Sequence, residues 1–203
     1  MKPDSRFALL ALLAVLLASR LAAHQASRPA GVHAVFDTSM GTFVCELYDK
    51  LTPVTVANFV DLVEGRKEWA TPKGELFKKP FYDGVTFHRV IKGFTIQAGD
   101  RTRTGNFTPI APFQDEIVPN LRFNRPGMVA MANNGPKTNS NRTQFFITIA
   151  PAPHLNGKHT IFGRVVEGFE VVKKISEVRV LGYRPAEDVT IRKVTITRKT
   201  GAR

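Results

Sequence analysis

Arg89 is the residue of this sequence whose chemistry most needs an explanation. It lies in FHRVIKGFTIQAGD (residues 87–100), a stretch that predicts two short β-strands. Alternation along the first strand places Arg89 in one row with Val85, Phe87 and Ile91. A guanidinium is costly to desolvate without a partner, and its five fixed N–H donors suit a carbonyl or a carboxylate. The stretch by itself leaves two interpretations open, a structural role with an ion pair or a solvated head group, and a binding role.

Other polar side chains stand beside aromatic ones in this stretch and in two later ones. The later stretches are MANNGPKTNSNRTQFFI (131–147) and HLNGKH (154–159), and the residues concerned are Phe94, Gln97, Asn133, Gln144, Phe146, Leu155 and His159. The sequence motifs of serine hydrolases, phosphate-binding loops and dinucleotide-binding loops are absent. The histidines are scattered without a second pair of metal ligands, so we expect neither a metal nor a cofactor.

Short strands must position most of these side chains. HAVFDTSMGTFVCELY (33–48) contains two alternating runs around Ser39-Met40-Gly41 and predicts a β-hairpin. Further strands are predicted for GMVAMA, QFFITIA, TIFGRVV and VTIRKVTITR, which all lie within residues 127–198. Because the strands show no regular alternation with helices, their order favours a β-barrel with helical lids.

Two helices and two loops complete the predicted domain. PVTVANFVDLVEG predicts a helix with Thr52 as its N-cap and Pro53 in its first turn, and residues 169–178 predict a second, amphipathic helix. Residues 66–84 and 101–127 are interrupted by prolines and predict loops. The second loop is long enough to suggest a functional role.

The N-terminus has the pattern of a secretory signal peptide. Two basic residues precede the apolar run FALLALLAVLLA (7–18), and small residues follow it. The run is short for a bilayer core of about 30 Å, although an uncleaved anchor is the alternative. We predict a signal peptide over residues 1–23 with cleavage after Ala23, a linker over 24–31 and one domain over 32–199. We therefore expect an exported protein, in the periplasm or another extracytoplasmic compartment.

The composition limits the partners and the cross-links of the mature chain. The formal net charge is +12 for the whole sequence and about +10 after residues 1–23 are removed, which favours contact with anionic surfaces. No basic run exceeds two residues, so we expect a solvated basic surface and no specific nucleic-acid site. Cys45 is the only cysteine and cannot form an intrachain disulfide, and its apolar surroundings predict a buried thiol.

The order of these motifs resembles the cyclophilin family of peptidyl-prolyl cis-trans isomerases. The similarity extends from about residue 32 to 198 and covers FHRVI-GF--Q-GD, MAN-GP-TN, QFFI, L-GKH and FG-V--G. It implies a mainly β fold, a closed eight-stranded antiparallel β-barrel capped by two α-helices. It also implies proline-containing polypeptides as clients, and we expect a monomer that is not stably inserted in a membrane after signal cleavage.

The resemblance also assigns roles to individual residues. It implies that Arg89 is catalytic and stabilises the twisted prolyl amide without a covalent intermediate. The implied substrate-binding positions are Phe94, Thr95, Gln97, Ala132, Asn133, Gln144, Phe146, His154, Leu155 and His159. Among them, the phenylalanines, the leucine and His159 would line a slot for the proline ring, and the two glutamines would orient Arg89 or bind substrate carbonyls. The backbone of residues 132 and 133 would pair with the extended peptide.

The sequence departs from the commonest pattern of the family at three positions. His154 stands where many eukaryotic members carry Trp, Thr95 replaces a frequent Met, and Asn134 replaces a smaller Ala. The NSNRT segment before Gln144 is also longer than the usual connection. Since Arg89 and the aromatic slot are retained, we expect isomerase activity together with weak sensitivity to cyclosporin.

Two other classes of function are compatible with parts of the sequence. The same groove could serve a peptide-binding or holdase module that has lost catalysis, although the retained Arg89, Gln97 and Phe146 disfavour this. A basic anchor for nucleic acid or anionic surfaces is supported by the net charge alone. Nucleic-acid affinity and isomerase turnover, measured over the same salt concentrations, distinguish these possibilities.

Overall fold

Residues 30–200 are the part of the chain that this computed structural model describes, and they form twelve β-strands and two α-helices. The strands are β1 (Gly31–Thr38), β2 (Gly41–Leu47), β3 (Trp69–Ala70), β4 (Leu76–Phe77), β5 (Arg89–Ile91), β6 (Thr95–Ala98), β7 (Met128–Met131), β8 (Phe145–Thr148), β9 (Ile161–Glu167), β10 (Val180–Leu181), β11 (Arg184–Pro185) and β12 (Ile191–Lys199). The helices are α1 (Pro53–Val63) and α2 (Phe169–Ser176), and Pro153–Leu155 form a 3-10 turn. The predicted signal peptide lies outside the described residues, and none of the described helices is long and apolar enough to cross a membrane.

Eight strands form one antiparallel sheet in the order β12-β1-β2-β9-β7-β8-β6-β5, and this sheet curls into a half-barrel. The strand number and the antiparallel pairing agree with prediction, but the closed barrel is wrong because hydrogen bonds do not join β5 to β12. Strand β5 is three residues long, and its outward Val90 N–H donates to the carbonyl of Tyr183 at 2.7 Å. That donor therefore pairs β5 with the β10–β11 segment.

The central strands place alternate side chains in two separate hydrophobic clusters. The larger cluster fills the concave side of the sheet and includes Phe145 of β8. The smaller one lies on the outer face and includes Phe146, the next residue. Because successive strand residues point to opposite faces, both neighbours are buried, each in its own cluster. Cys45 lies in the larger cluster, where burial raises the pKa of its thiol, so the predicted buried thiol is confirmed.

The predicted alternation along residues 85–91 is wrong. Phe87 and Val90 both pack in the larger cluster, although a continuous strand would place them on opposite faces. The regular ladder begins only at Arg89, and Phe87 instead donates its N–H to the carbonyl of Val189 at 2.9 Å. Arg89 is therefore the first residue of a short strand rather than a member of an apolar row.

Helix α1 is capped by a residue far away in the sequence. Thr52 occupies the N-cap position as predicted, but its hydroxyl contacts the carbonyl of Tyr48 and makes no capping bond. The carboxylate of Glu116 accepts hydrogen bonds from the Val54 N–H at 3.1 Å and the Thr55 N–H at 2.7 Å. A carboxylate at a helix N-terminus also interacts favourably with the helix dipole.

The long loop over residues 101–127 is confirmed, and polar contacts hold it against the domain. Asn141 is fully buried and donates from its amide to the carbonyl of Gln114 and to Asp115, each at 2.9 Å. At the start of the loop, the buried Asp100 accepts from the N–H groups of Thr102 and Gly105. The loop is therefore fixed at its start and at its middle.

Two further elements differ from prediction. The prediction of a loop over residues 66–84 is incomplete, because this segment contains the β3–β4 ribbon, whose Trp69 packs against Phe77 and edge-on against Phe81. Aromatic packing stabilises this ribbon although its strands have only two residues each. Helix α2 ends at Ser176, two residues before its predicted end.

We predict that Glu116→Gln lowers the free energy of unfolding by about 1–2 kcal/mol, because the helix N-terminus loses its anionic partner. Chemical denaturation at neutral pH measures this change. Glu68→Gln is the matched control, since Glu68 is exposed and forms no polar contact within the described residues. The control should change stability by less than about 0.5 kcal/mol, and equal losses in both variants would contradict the capping role.

Candidate active site

The register of four neighbouring strands sets Arg89 beside an aromatic side chain. Arg89 of β5 pairs with Gln97 of β6, Gln97 pairs with Phe146 of β8, and Phe146 pairs with Ala130 of β7. Phe146 and Ala130 belong to the outer cluster, so this row runs across the outer face of the sheet. The row therefore joins the guanidinium, an amide and an apolar surface without any contribution from a flexible loop.

A cavity of 220 Å³ opens above this row, and we call it the main cavity. Its lining residues are Arg89, Phe94, Thr95, Gln97, Ala132, Asn133, Phe146, Leu155 and His159. Nine of the eleven predicted site residues thus surround one space, and the other two, Gln144 and His154, lie next to its lining. The side chains of Phe94 and Leu155 pack against the outer cluster, which makes one part of the cavity an apolar slot.

The environment of Arg89 excludes one of the interpretations that its sequence position left open. Within residues 30–200, its guanidinium forms no ion pair with a carboxylate. Its Cζ lies instead 5.2 Å from the ring centroid of Tyr183. A contact with an aromatic face leaves the guanidinium N–H groups without a carboxylate partner, whereas an ion pair would occupy them. The structural ion pair is therefore excluded for the described part of the chain.

A chain of amide hydrogen bonds fixes the orientation of Gln97. The side-chain N–H of Gln144 donates to the carbonyl of Gly105, and the Gln144 Oε1 accepts from Gln97 Nε2, each at 2.8 Å. Gln97 uses one of its two N–H donors in this contact, so its Oε1 and the second N–H remain available to a ligand. The backbone of Gln144 packs closely against Gly99. Gly99 has a φ of +96°, and the absence of a Cβ at this position allows the close approach.

His159 contributes a neutral wall to the slot. Its Nδ1 lies 3.0 Å from the carbonyl of Met131, which can only accept, so Nδ1 carries the proton. The ring packs edge-on against Phe146 with centroids 5.1 Å apart. Burial lowers the pKa of His159 below its usual value, although the Met131 contact acts in the opposite direction. The imidazole is therefore uncharged at neutral pH, which suits an apolar ring in the slot.

Backbone groups at the edge of the main cavity are only partly free. The Ala132 N–H donates to the carbonyl of Gln144 at 3.0 Å, so Ala132 cannot donate to a peptide. The Asn133 side chain donates to the carbonyl of Lys158 at 2.8 Å and accepts from the N–H of Gly135. Among the described residues, nothing pairs with the backbone N–H or C=O of Asn133. This residue can therefore offer both groups to an extended chain.

His154 lies at the rim of the main cavity. It is exposed and stacks on Phe94, with ring centroids 5.3 Å apart and an interplanar angle of 24°. The contact places an imidazole at the position that the resemblance associates with Trp in many family members. The rim therefore has less apolar area here than a Trp side chain would supply.

Sequence reasoning missed a second cavity and one aromatic residue. A cavity of 240 Å³ shares Gln97, Ala132 and Asn133 with the main one, and residues 105–108 of the long loop form part of its wall. In the sequence, only the length of the loop over residues 101–127 indicated that this second cavity exists. The second omission is Tyr183, whose stacking on Arg89 depends on tertiary contacts that no local pattern indicates.

Comparisons with known proteins agree with this geometry. A family model described as cyclophilin type peptidyl-prolyl cis-trans isomerase/CLD matches residues 33–196. Peptidyl-prolyl cis-trans isomerase A of Mycobacterium tuberculosis is 46% identical over 173 residues, which cover 81% of this chain and 91% of that protein. Peptidyl-prolyl cis-trans isomerase-like 1 of Aspergillus niger is 42% identical over 170 residues, covering 82% and 95% respectively.

Solved structures give the same result for the fold. The crystal structure of a cyclophilin type peptidyl-prolyl cis-trans isomerase from Cryptosporidium parvum, determined in the presence of the dipeptide Ala-Pro, superposes with a TM-score of 0.72. The two chains are 31% identical, and the match covers 82% of this chain and 99% of the other. The extent of the family match and the identity to several isomerases lead to one assignment. This chain belongs to the cyclophilin-type peptidyl-prolyl cis-trans isomerases and is an enzyme of that class.

Proposed function

We propose that Arg89 accelerates the isomerisation of X–Pro bonds by stabilising the twisted amide, without a covalent intermediate. One observation carries the proposal: a guanidinium without a carboxylate partner among the described residues borders an apolar slot. The neighbouring Gln97 offers a carbonyl oxygen, and Asn133 offers backbone groups for the flanking peptide.

The chemistry of the peptide bond explains why such a site can be sufficient. Rotation is opposed by about 18–20 kcal/mol because the nitrogen lone pair is shared with the carbonyl group. At X–Pro bonds the two isomers are close in energy, yet their exchange takes tens to hundreds of seconds. As the bond twists, the nitrogen regains its lone pair and becomes a better hydrogen-bond acceptor. A donor placed over that nitrogen binds the twisted state more strongly than either planar isomer, which is what catalysis requires.

The permanent charge of Arg89 suits this role better than a titrating group would. Arginine stays protonated at physiological pH, so the donor is always present. The slot residues Phe94, Phe146 and Leu155 would hold the proline ring, and neutral His159 would complete the wall. On this proposal, binding and catalysis reside in different groups, the slot and the guanidinium.

The proposed clients are proline-containing polypeptides that fold outside the cytoplasm, with the protein acting as a monomer. Support for the clients comes from the slot and from the C. parvum relative, which was crystallised in the presence of Ala-Pro. Support for export comes from the basic start and the apolar run over residues 7–18. No feature of the site favours nucleic acid, and the net charge alone does not identify a partner.

Arg89→Ala should lower kcat/KM for an X–Pro peptide by about 100-fold or more, equivalent to about 2.7 kcal/mol at the transition state. Arg89→Lys should recover only part of the rate, because a single ammonium cannot reproduce the planar set of donors. Turnover of a chromogenic proline peptide measures both variants. Lys92→Ala is the matched control, since it removes an exposed positive charge from the β5–β6 turn and should leave turnover near normal.

Thermal unfolding of the same variants separates catalysis from folding. If Arg89 had only a structural role, Arg89→Ala would lose stability but keep its turnover per folded molecule. A folded Arg89→Ala protein with near-normal turnover would end the proposed mechanism and leave peptide binding as the function of the groove.

Inhibition by cyclosporin should be weak, and His154→Trp should strengthen it by about tenfold, because an indole adds apolar area at the rim of the cavity. Titration of isomerase activity with the drug measures both proteins. His154→Phe separates the two contributions of Trp, since it restores apolar area without an N–H donor. Tight inhibition of the wild-type enzyme would show that this position does not control drug binding.

If the protein is exported and its signal peptide is cleaved, the mature form isolated from the extracytoplasmic compartment should begin near residue 24. Mass spectrometry of the intact protein and of its N-terminal peptide measures this directly. A mass that includes residues 1–23 in the exported fraction would show that the segment is retained as an anchor.

A further inference from the structure

The β10–β11 ribbon ends in a tight turn beside the strand that carries Arg89. Val180 pairs with Pro185 and Leu181 pairs with Arg184, which leaves Gly182 and Tyr183 as the two turn residues. Gly182 has a φ of +66°, which favours glycine at the first position of such a turn. Leu181 and Tyr183 are 67% and 60% exposed, so neither side chain belongs to a hydrophobic core.

Backbone hydrogen bonds hold this turn at a fixed distance from β5. The Val90 N–H donates to the Tyr183 carbonyl at 2.7 Å, and the Ala186 N–H donates to the Arg179 carbonyl at 2.8 Å at the base of the ribbon. Arg103 also forms an ion pair with Asp188, which connects the segment after the ribbon to the loop that begins at residue 101. Tyr183 is therefore attached to the backbone of the residue next to Arg89.

The ring of Tyr183 contacts the guanidinium of Arg89, with 5.2 Å between Cζ and the ring centroid. Contact with an aromatic face stabilises a guanidinium and restricts its position, and among the described residues no carboxylate occupies its N–H groups. Gln97 lies across from Arg89 in the strand register, on the β6 side. The ribbon thus supplies the contact on the opposite side of β5.

We propose that Tyr183 is a positioning residue that orients the Arg89 guanidinium toward the prolyl amide without occupying its donors. This inference rests on the proposed function of Arg89. The contact would matter for rate more than for affinity, because misorientation of a donor weakens the transition state while the slot still binds the proline ring. The aromatic face, and not the phenol hydroxyl, carries the effect.

The test compares Tyr183→Phe, Tyr183→Leu and Leu181→Ala in the full protein with a proline peptide as substrate. We expect Tyr183→Leu to lower kcat by about threefold to tenfold with little change in KM, and Tyr183→Phe to stay within about twofold of wild type. Leu181→Ala is the control for the ribbon, since it removes a similarly exposed side chain from the strand position that adjoins the turn. It should have wild-type kinetics.

Nuclear magnetic resonance provides a readout that does not depend on activity. A stacked ring shifts the Arg89 side-chain proton resonances upfield, so this shift should disappear in Tyr183→Leu and persist in Tyr183→Phe. In the double variant Arg89→Ala/Tyr183→Leu, the second substitution should cause no further loss of rate, because Tyr183 acts through Arg89.

Three results would overturn the inference, and they differ from failure of the proposed function. Wild-type kcat in Tyr183→Leu would show that the ring does not position Arg89, and an equal loss in Leu181→Ala would show a general effect of the ribbon. An additive loss in the double variant would assign Tyr183 a role independent of Arg89. Near-normal turnover of Arg89→Ala would instead refute the proposed function itself.

Discussion

The cross-strand register of β5, β6, β8 and β7 is the constraint on which the site depends. It places Arg89, Gln97, Phe146 and Ala130 in one row on the outer face of the sheet. A slip of one residue would turn Arg89 toward the barrel core and Phe146 away from the slot, because side chains alternate with a period of two. The large inner cluster stabilises the correct register, so the packing of the core also determines the geometry of the site.

The two hydrophobic clusters have different relations to function. The inner one stabilises the sheet, whereas the outer one is incomplete and leaves an apolar slot beside a guanidinium. Burial lowers the pKa of His159, so the slot wall stays uncharged near neutral pH. A site of this kind suits a reaction that needs orientation and one donor but transfers no proton.

Local patterns in the sequence predicted the hairpin, both helices and the strands of the main sheet, and the family resemblance supplied the list of site residues. Features that depend on distant residues were not predictable. Glu116 caps a helix that lies about sixty residues earlier, and the alternation around Phe87 fails because the ladder begins only at Arg89. The N–H of Val90 in the edge strand β5 pairs with the carbonyl of Tyr183 and not with β12. A local sequence pattern does not indicate which distant backbone groups a segment will pair with.

The central claim is that Arg89 stabilises the twisted amide and contributes little to binding of either planar isomer. The most direct test measures the exchange rate between cis and trans forms of an X–Pro peptide on the enzyme, together with its Kd, by nuclear magnetic resonance. For Arg89→Ala, the account predicts a decrease in the on-enzyme rate of about 100-fold and a change in Kd of less than about threefold. An unchanged on-enzyme rate, with the whole loss of kcat/KM explained by weaker binding, would contradict it.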